Sequence, residues 1–281
     1  MQRAGPDWLE NPLGFYPPLI LSVRRLRAEI KLTNEEPLSS LKQVCEHRMK
    51  SKINQVDAEL LDRRLYAAKC AGGTSSSSIK TLVLTLIKER RFKGAALDYG
   101  AGKGELLSLL SHKGIFHKLI GTDILEKPAQ LNEDVIWYQQ DLNQPLEIQG
   151  ELPSLVICTE VIEHLENPRA VFRELYRILA PGGHLLLTMP NQESLRSYFG
   201  LVLGGHFTHF LGNSYPAHIT ALLRLDLKRI CVESGFSSPT FYYTDSGGIP
   251  KFPAMSWQML SLGLLRGRLF SDNIAMLAQK A

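Results

Sequence analysis

Four short stretches carry residue types that could do chemistry. The first is Asp98-Tyr99-Gly100-Ala101-Gly102-Lys103-Gly104, an acid and a glycine-rich turn set between the apolar run Ala95–Leu97 and the helical pattern Glu105–Leu110. Glycines let backbone N–H groups approach a ligand closely where a Cβ would stand in the way. A dinucleotide-binding turn follows G-x-G-x-x-G and sets a pyrophosphate on the helix N-terminus. Here the glycines fall at 100, 102 and 104, and Glu105 stands where the third glycine belongs, so a pyrophosphate would be repelled. Asp98, just before the turn, can accept a hydrogen bond from a cationic amine. The spacing points to a ligand that carries an ammonium and no phosphate. The plainer account is a tight strand-to-helix turn that binds nothing.

The other three stretches supply acids at the ends of further strand-like runs. Asp123, followed by Ile124, can accept both hydroxyls of a ribose, and Asp141-Leu142 offers an acid and an apolar side chain to an adenine amino group and ring face. Thr159-Glu160 ends a fourth run. Any one acid could be a helix cap or a surface group; three at successive strand ends are harder to dismiss. Glu160, Glu163 and His164 are spaced i, i+3, i+4 and share a face if the chain turns helical there. Two carboxylates and an imidazole suit Mg²⁺ or Mn²⁺. Without a metal, His164 can act as a general base, with Glu160 beside it, or simply line a pocket.

The elements that must position these residues can be read from periodicity. Strand-like runs are Ala95–Tyr99, Lys118–Ile124, Val135–Leu142, Leu155–Val161, His184–Met189, Thr240–Thr244 and Ile274–Ala278; helical runs include Gly104–His112, Arg169–Leu179 and Ala221–Ser234. Such alternation predicts a mostly parallel sheet covered on both faces, with ligands outside the carboxyl ends of its strands. Upstream, a helical patch spans Leu38–Met49, and Val56, Leu60, Leu61 and Leu65 mark a helical face that Gly72-Gly73 closes. Thr74–Ser78 reads as a polar linker in which Ser78 can cap an amphipathic helix ending near Gly94.

As a set, these motifs resemble the class I S-adenosylmethionine-dependent methyltransferases. The residues that carry the resemblance are Leu97–Gly104, Gly121-Thr122-Asp123, Gln140-Asp141-Leu142, Glu160–Leu165, and Arg177–Gly183 with Leu185-Leu186-Leu187. It covers about residues 79–281 and implies an α/β fold: a three-layer, doubly wound, mostly parallel seven-stranded Rossmann-like sheet ending in an antiparallel hairpin. It also implies S-adenosylmethionine as cofactor. Asp98, Gly100, Ala101, Gly102 and Gly104 would hold its methionine moiety, Asp123 and Ile124 the ribose, Asp141 and Leu142 the adenine, with Thr159 beside them. Related E-x-x-E-H strings bind metals in some small-RNA and quinone methyltransferases; similar strings occur in metal-independent relatives, so metal binding stays open. Ser154-Leu155 departs from the aromatic-Asp pair with which many relatives open the fourth strand.

The resemblance divides the chain into an N-terminal helical extension or lid, residues 1–78, and a core, residues 79–281, with substrate-side inserts at 191–218 and 246–272. The first insert holds Tyr198, His206, His209 and Tyr215 among other aromatics and histidines, and it suits a flat or apolar acceptor or a small satellite core. The second mixes Met, Trp and Leu with Arg266 and Arg268, and fits lid packing, a lipophilic substrate or a membrane surface.

Composition bounds the rest. The 281 residues are 44% hydrophobic and 21% charged, which is ordinary for a globular protein. Net charge is +4, but residues 1–94 hold 17 Lys/Arg against 10 Asp/Glu and the remainder 15 against 18. The four cysteines are scattered, without a C-x-x-C pair, and fit a reducing compartment. No signal peptide is evident in the Pro-interrupted run Phe15–Leu21. The expected protein is a cytoplasmic methyltransferase acting on a small, aromatic or lipophilic acceptor. The alternatives are a metal-dependent RNA 2′-O-methyltransferase, disfavoured by modest charge and the lack of a nucleic-acid-binding module, and a partner subunit that binds adenosylmethionine without catalysis.

Overall fold

A computed structural model describes residues 38–281. The apolar run Phe15–Leu21 and the basic stretch Arg24–Arg27 lie outside the described residues. Two units meet within the described residues, with the boundary between residues 58 and 59. Helix α1 (Leu38–Ala71) is continuous through both helical patches read from the sequence, and all that follows belongs to the second unit.

Helix α2 (Ser77–Glu89) is capped by Ser76, whose hydroxyl accepts from the Ile79 N–H at 3.3 Å. Ser78, the expected cap, instead lies in the first turn with its hydroxyl 2.9 Å from that of Ser76. Within a serine run several residues can cap, and the choice falls to the one whose backbone is extended (φ −64°, ψ 157°). The helix also stops sooner than Gly94, at Glu89.

Strands β1 (Ala95–Tyr99), β2 (Lys118–Asp123), β3 (Ile136–Gln139), β4 (Leu155–Thr159), β5 (His184–Pro190), β6 (Thr240–Tyr243) and β9 (Asn273–Gln279) form one sheet in the order β3-β2-β1-β4-β5-β9-β6. Pairing is parallel from β3 through β5, and β9 is antiparallel to both β5 and β6. Strand order reverses between β1 and β4, which makes the carboxyl ends of those two strands the switch point where ligands bind in such sheets. The seven-stranded, mostly parallel sheet is the fold expected from the sequence. A separate two-stranded ribbon, β7 (Gly248–Ile249) and β8 (Phe252–Ser256), lies within the second insert.

The sheet is apolar on both faces because helices cover both. In β4, Val156 and Cys158 join the core that contains Phe172, Leu175 and Ile178 of α4 (Pro168–Ile178) and Leu227 and Ile230 of α6 (Arg224–Glu233). Their neighbours Leu155 and Ile157 point the other way, into the core with Val83 and Ile87 of α2 and Leu107 and Leu110 of α3 (Glu105–Lys113). This is the strand period of two meeting the helix period of 3.6. Ser154, the departure noted above, fastens the start of β4: its N–H donates to the Ala95 carbonyl at 2.9 Å and its hydroxyl to the Lys93 carbonyl at 2.5 Å. Cys158 and Cys231 are buried free thiols and Cys70 is exposed. Among the described residues, no helix is long and apolar enough to cross a membrane.

Candidate active site

At the end of β1 the glycine turn spends its own N–H groups. Gly100 and Ala101 donate to the Thr122 carbonyl (2.8 and 3.0 Å), Lys103 to the Gly73 carbonyl (3.0 Å) and Gly104 to the Ala101 carbonyl (2.8 Å). Gly102 donates to Asp123 Oδ2 at 2.8 Å. A phosphate-binding nest needs such groups free, so the turn suits the phosphate-free ligand inferred from Glu105. Two of the glycines are required by close approach. At Gly100 (φ 84°) a Cβ would lie 2.3 Å from the Val161 side chain, and at Gly102 (φ 51°) 2.5 Å from the Gly73 carbonyl oxygen.

Asp98 is 3% exposed on the central strand. Burial, with the Asp123 carboxylate adding to it, pushes its carboxyl up to about 7. A ligand ammonium is the kind of group that offsets such a penalty, so the residue fits the amino end of an amino-acid-bearing cofactor. Asp123 is also buried, and burial raises its pKa even though the backbone N–H groups of Leu125, Gly102 and Ile124 pull it down. Leu125 N–H reaches Oδ1 at 2.9 Å. Each carboxylate oxygen has a lone pair left for a diol.

The Asp141 end holds a residue that periodicity gave no reason to single out. Arg64, on α1, donates to Asp141 Oδ2 at 2.5 Å and to both oxygens of Glu166 at 3.0 and 2.6 Å. Asp141 Oδ1 accepts from the backbone and side chain of Asn143, both at 3.0 Å. Leu142 is held by its carbonyl, which accepts from the Tyr99 hydroxyl at 2.7 Å.

At the end of β4 the expected shared face does not form. Only Ile162–His164 turns helical, as a single 3₁₀ turn, and Glu160 precedes it in the left-handed region at φ 54°. The Glu160 carboxylate is tied into the sheet, accepting from the Thr188 hydroxyl at 3.0 Å and the Asn273 amide at 2.8 Å. Burial still pushes its carboxyl up to about 7 against those two bonds. Glu163 differs. It is 1% exposed, and neither carboxylate oxygen has a partner among the described residues. Burial, then the neighbouring Glu160, holds its pKa well above the usual range.

His218 completes a group that the spacing of Glu160, Glu163 and His164 did not contain. Glu163, His164 and His218 each bring one ligand atom within 4.8 Å of the others. His164 Nδ1 lies 2.7 Å from the Ala217 carbonyl and His218 Nδ1 2.6 Å from that of His209. If both Nδ1 atoms donate, both Nε2 atoms carry lone pairs. The rings meet edge to face at 4.9 Å. Burial lowers both histidine pKa values, and for His164 the adjacent His218 lowers it further. A neutral imidazole beside a bare carboxylate can take a proton, and one carboxylate with two imidazoles suits a divalent cation. Thr159 Oγ1, at the same strand end, is buried without a partner among the described residues.

The first insert reaches this cluster through His209, His218 and Phe210, whose ring lies 5.4 Å from that of His218. Burial lowers the His209 pKa, opposed by Asp272. His206 Nδ1 is buried and has no partner among the described residues, whereas Tyr198, on α5 (Leu195–Gly204), and Tyr215 are exposed. A cleft of about 400 Å³ where α2 meets the end of β6 is walled by Ser77, Ser78, Thr81, Leu82 and Thr85 and by Tyr243–Asp245. No member of the Glu163 cluster lines it.

A family model described as a methyltransferase domain matches residues 74–238, more than half of the chain. The ubiquinone biosynthesis O-methyltransferase of Pseudomonas entomophila is 29% identical over 119 residues, 40% of this chain and 50% of that protein. Its namesake from Proteus mirabilis is 25% identical over 140 residues, 46% and 56%. The chain thus spans about half the length of the curated relatives it matches. Among solved structures, the plantazolicin methyltransferase BpumL, in complex with a triazolic desmethylPZN analog and SAH, aligns with a TM-score of 0.53 at 14% identity, covering 80% of this chain and 98% of that one. A methyltransferase domain of bacterial CtHen1-CN aligns at 0.50 and 18%, covering 72% and 97%. The fold, the switch-point site and the match over residues 74–238 agree: the chain belongs to the methyltransferase-domain family, the class I S-adenosylmethionine-dependent methyltransferases.

Proposed function

We propose that this chain transfers the methyl group of S-adenosylmethionine to a hydroxyl oxygen of a small aromatic or lipophilic acceptor. The observation that carries this reading is Glu163, a buried carboxylate without a partner among the described residues, set beside His164 and His218 at the switch point. The names of the curated relatives, ubiquinone biosynthesis O-methyltransferases, favour oxygen over nitrogen or carbon.

The cofactor, when bound, supplies an electrophilic methyl on a sulfonium. Asp98 would hold the ammonium of its methionine end, the turn from Gly100 to Gly104 would lie along that end, and Asp123 with Ile124 would take the ribose. Asp141 and Leu142 would take the adenine once Arg64 gives way. His164 Nε2 would take the proton of the acceptor hydroxyl, with Glu163 beside it to stabilise the imidazolium, as the methyl passes to oxygen and its bond to sulfur breaks to leave a neutral thioether. Glu160 braces this corner through Thr188 and Asn273. Tyr198, His206, His209 and Tyr215 belong to the acceptor side. Glu163, His164 and His218 would also hold a divalent cation, which would lower the pKa of a coordinated hydroxyl.

The test is calorimetry with S-adenosylmethionine and S-adenosylhomocysteine, then mass spectrometry of a panel of phenols and catechols, with and without EDTA. The expected result is a singly methylated product. Loss of turnover in EDTA assigns the cation. Cofactor binding without product on any acceptor supports the non-catalytic subunit, and methylation of RNA alone supports the nucleic-acid reading; either result overturns the proposal.

A further inference from the structure

The two inserts share a property that methyl transfer does not require. Between Glu193 and Asp226, and between Asp245 and Asp272, the sequence contains no Asp or Glu but holds Arg196, Arg224, Lys251, Arg266 and Arg268; Glu193 pairs with Arg224 and Arg268, and Asp272 with Arg196. Both leave the same edge of the sheet, since α5 follows the carboxyl end of β5 and the second insert joins the end of β6 to the start of the antiparallel β9. They are fastened to each other there. Arg196 pairs with Asp272 at 2.9 Å, and the Asn191 amide donates to the Arg268 and Ser271 carbonyls at 2.7 and 2.8 Å.

From this base each insert holds large aliphatic side chains in solvent. Val202 and Leu203 at the end of α5 are 80% and 74% exposed, and Leu262 and Leu264 are 93% and 85% exposed. Leu262 is also strained, at φ 51°, a region that branched side chains avoid. The turn that carries it is built rather than loose. Gly263 N–H donates to the Gln258 carbonyl at 2.8 Å, and the Gln258 side chain reaches the Leu265 and Phe270 carbonyls and the Gly247 N–H at 2.8–3.0 Å. A fixed turn that spends strain to present a leucine to water marks a contact surface. Lys251 and Arg266 have no ion pair among the described residues. Exposed aliphatic side chains beside two unpaired cations, Lys251 and Arg266, fit the interface of an anionic bilayer, where the apolar groups enter the headgroup boundary and the cations meet lipid phosphates.

We propose that the two inserts dock this protein on an anionic membrane surface, with the Leu262–Leu264 turn and the end of α5 as the inserted points. The proposal does not depend on methyl transfer and is tested without it. Full-length protein is sedimented with vesicles of phosphatidylcholine alone and of phosphatidylcholine with phosphatidylglycerol, at low and high salt. Binding is expected to be about tenfold or more stronger on the anionic vesicles and to weaken with salt. Leu262→Asp with Leu264→Asp should abolish it, and Lys251→Gln with Arg266→Gln should reduce it several-fold. S-adenosylhomocysteine affinity, measured by calorimetry, should be unchanged in both and reports that they are folded. The proposal is overturned if the native protein binds neither vesicle, binds both equally, or loses nothing in the Leu262/Leu264 variant. It is equally overturned if light scattering shows a dimer that this variant dissociates, which would assign the surface to a second copy of the chain.

Discussion

Two pairs of acids sit at strand ends on either side of the switch point, Asp98 with Asp123 and Glu160 with Glu163, and in each pair the two carboxylates have different employment. Asp123 is braced by backbone N–H groups and Glu160 by Thr188 and Asn273. Asp98 and Glu163 accept no hydrogen bond from elsewhere in the described residues and carry raised pKa values. A buried carboxylate left bare is costly unless something outside the protein completes it. Each pair therefore has one member fixed by the protein's own hydrogen bonds and one that is not.

The sharpest way to break that comparison is at Glu163 and His164. Glu163→Gln or His164→Ala should lower turnover by about 10²- to 10⁴-fold and leave S-adenosylhomocysteine affinity unchanged by calorimetry. Glu160→Gln should act mainly on stability, losing about 1–2 kcal/mol in a denaturant titration as the bond to Asn273 fails. Equal loss of turnover in the Glu160 and Glu163 variants would erase the distinction. Asp98→Asn comes next, with an expected loss of about 10- to 100-fold in S-adenosylmethionine affinity, the range of a charge-assisted bond.

The same residue sets a pH dependence. With its carboxyl at about 7 in the free protein, Asp98 is protonated below that pH, and the proton competes with the ligand ammonium. Affinity should be flat above pH 7 and weaken by up to about tenfold per pH unit below it, a slope the Asn variant lacks. The smallest effect is expected from Arg64→Ala. Freed of the guanidinium, Asp141 should bind the adenine end about two- to fivefold more tightly, in keeping with the modest strength of partly exposed ion pairs. Unchanged affinity would mean that Asp141 takes no part in the site.

How much of this was legible in the sequence depends on distance along the chain. The strands, their order of appearance and the acids at their ends follow from local period and position, and so did the glycine turn with its aversion to phosphate. The pairing of Arg64 with Asp141 and Glu166 joins residues 77 and 102 positions apart, and nothing in a local pattern announces it. His218 was visible only as one of several ring residues in an insert, 54 positions beyond His164. Glu160 was misplaced for a finer reason: a single left-handed residue removes it from the helical face that i, i+3, i+4 spacing suggests.

The contact between Gly73 and Gly102 bears on how such proteins can be recombined. The Gly73 carbonyl receives the Lys103 N–H, and its oxygen occupies the space a Cβ on residue 102 would need. The glycine turn is thus moulded partly by a junction 29 residues upstream of Gly102. A chimera that exchanges everything before residue 79 for another protein's extension would discard the mould and keep the casting; the smallest portable unit begins before Gly73.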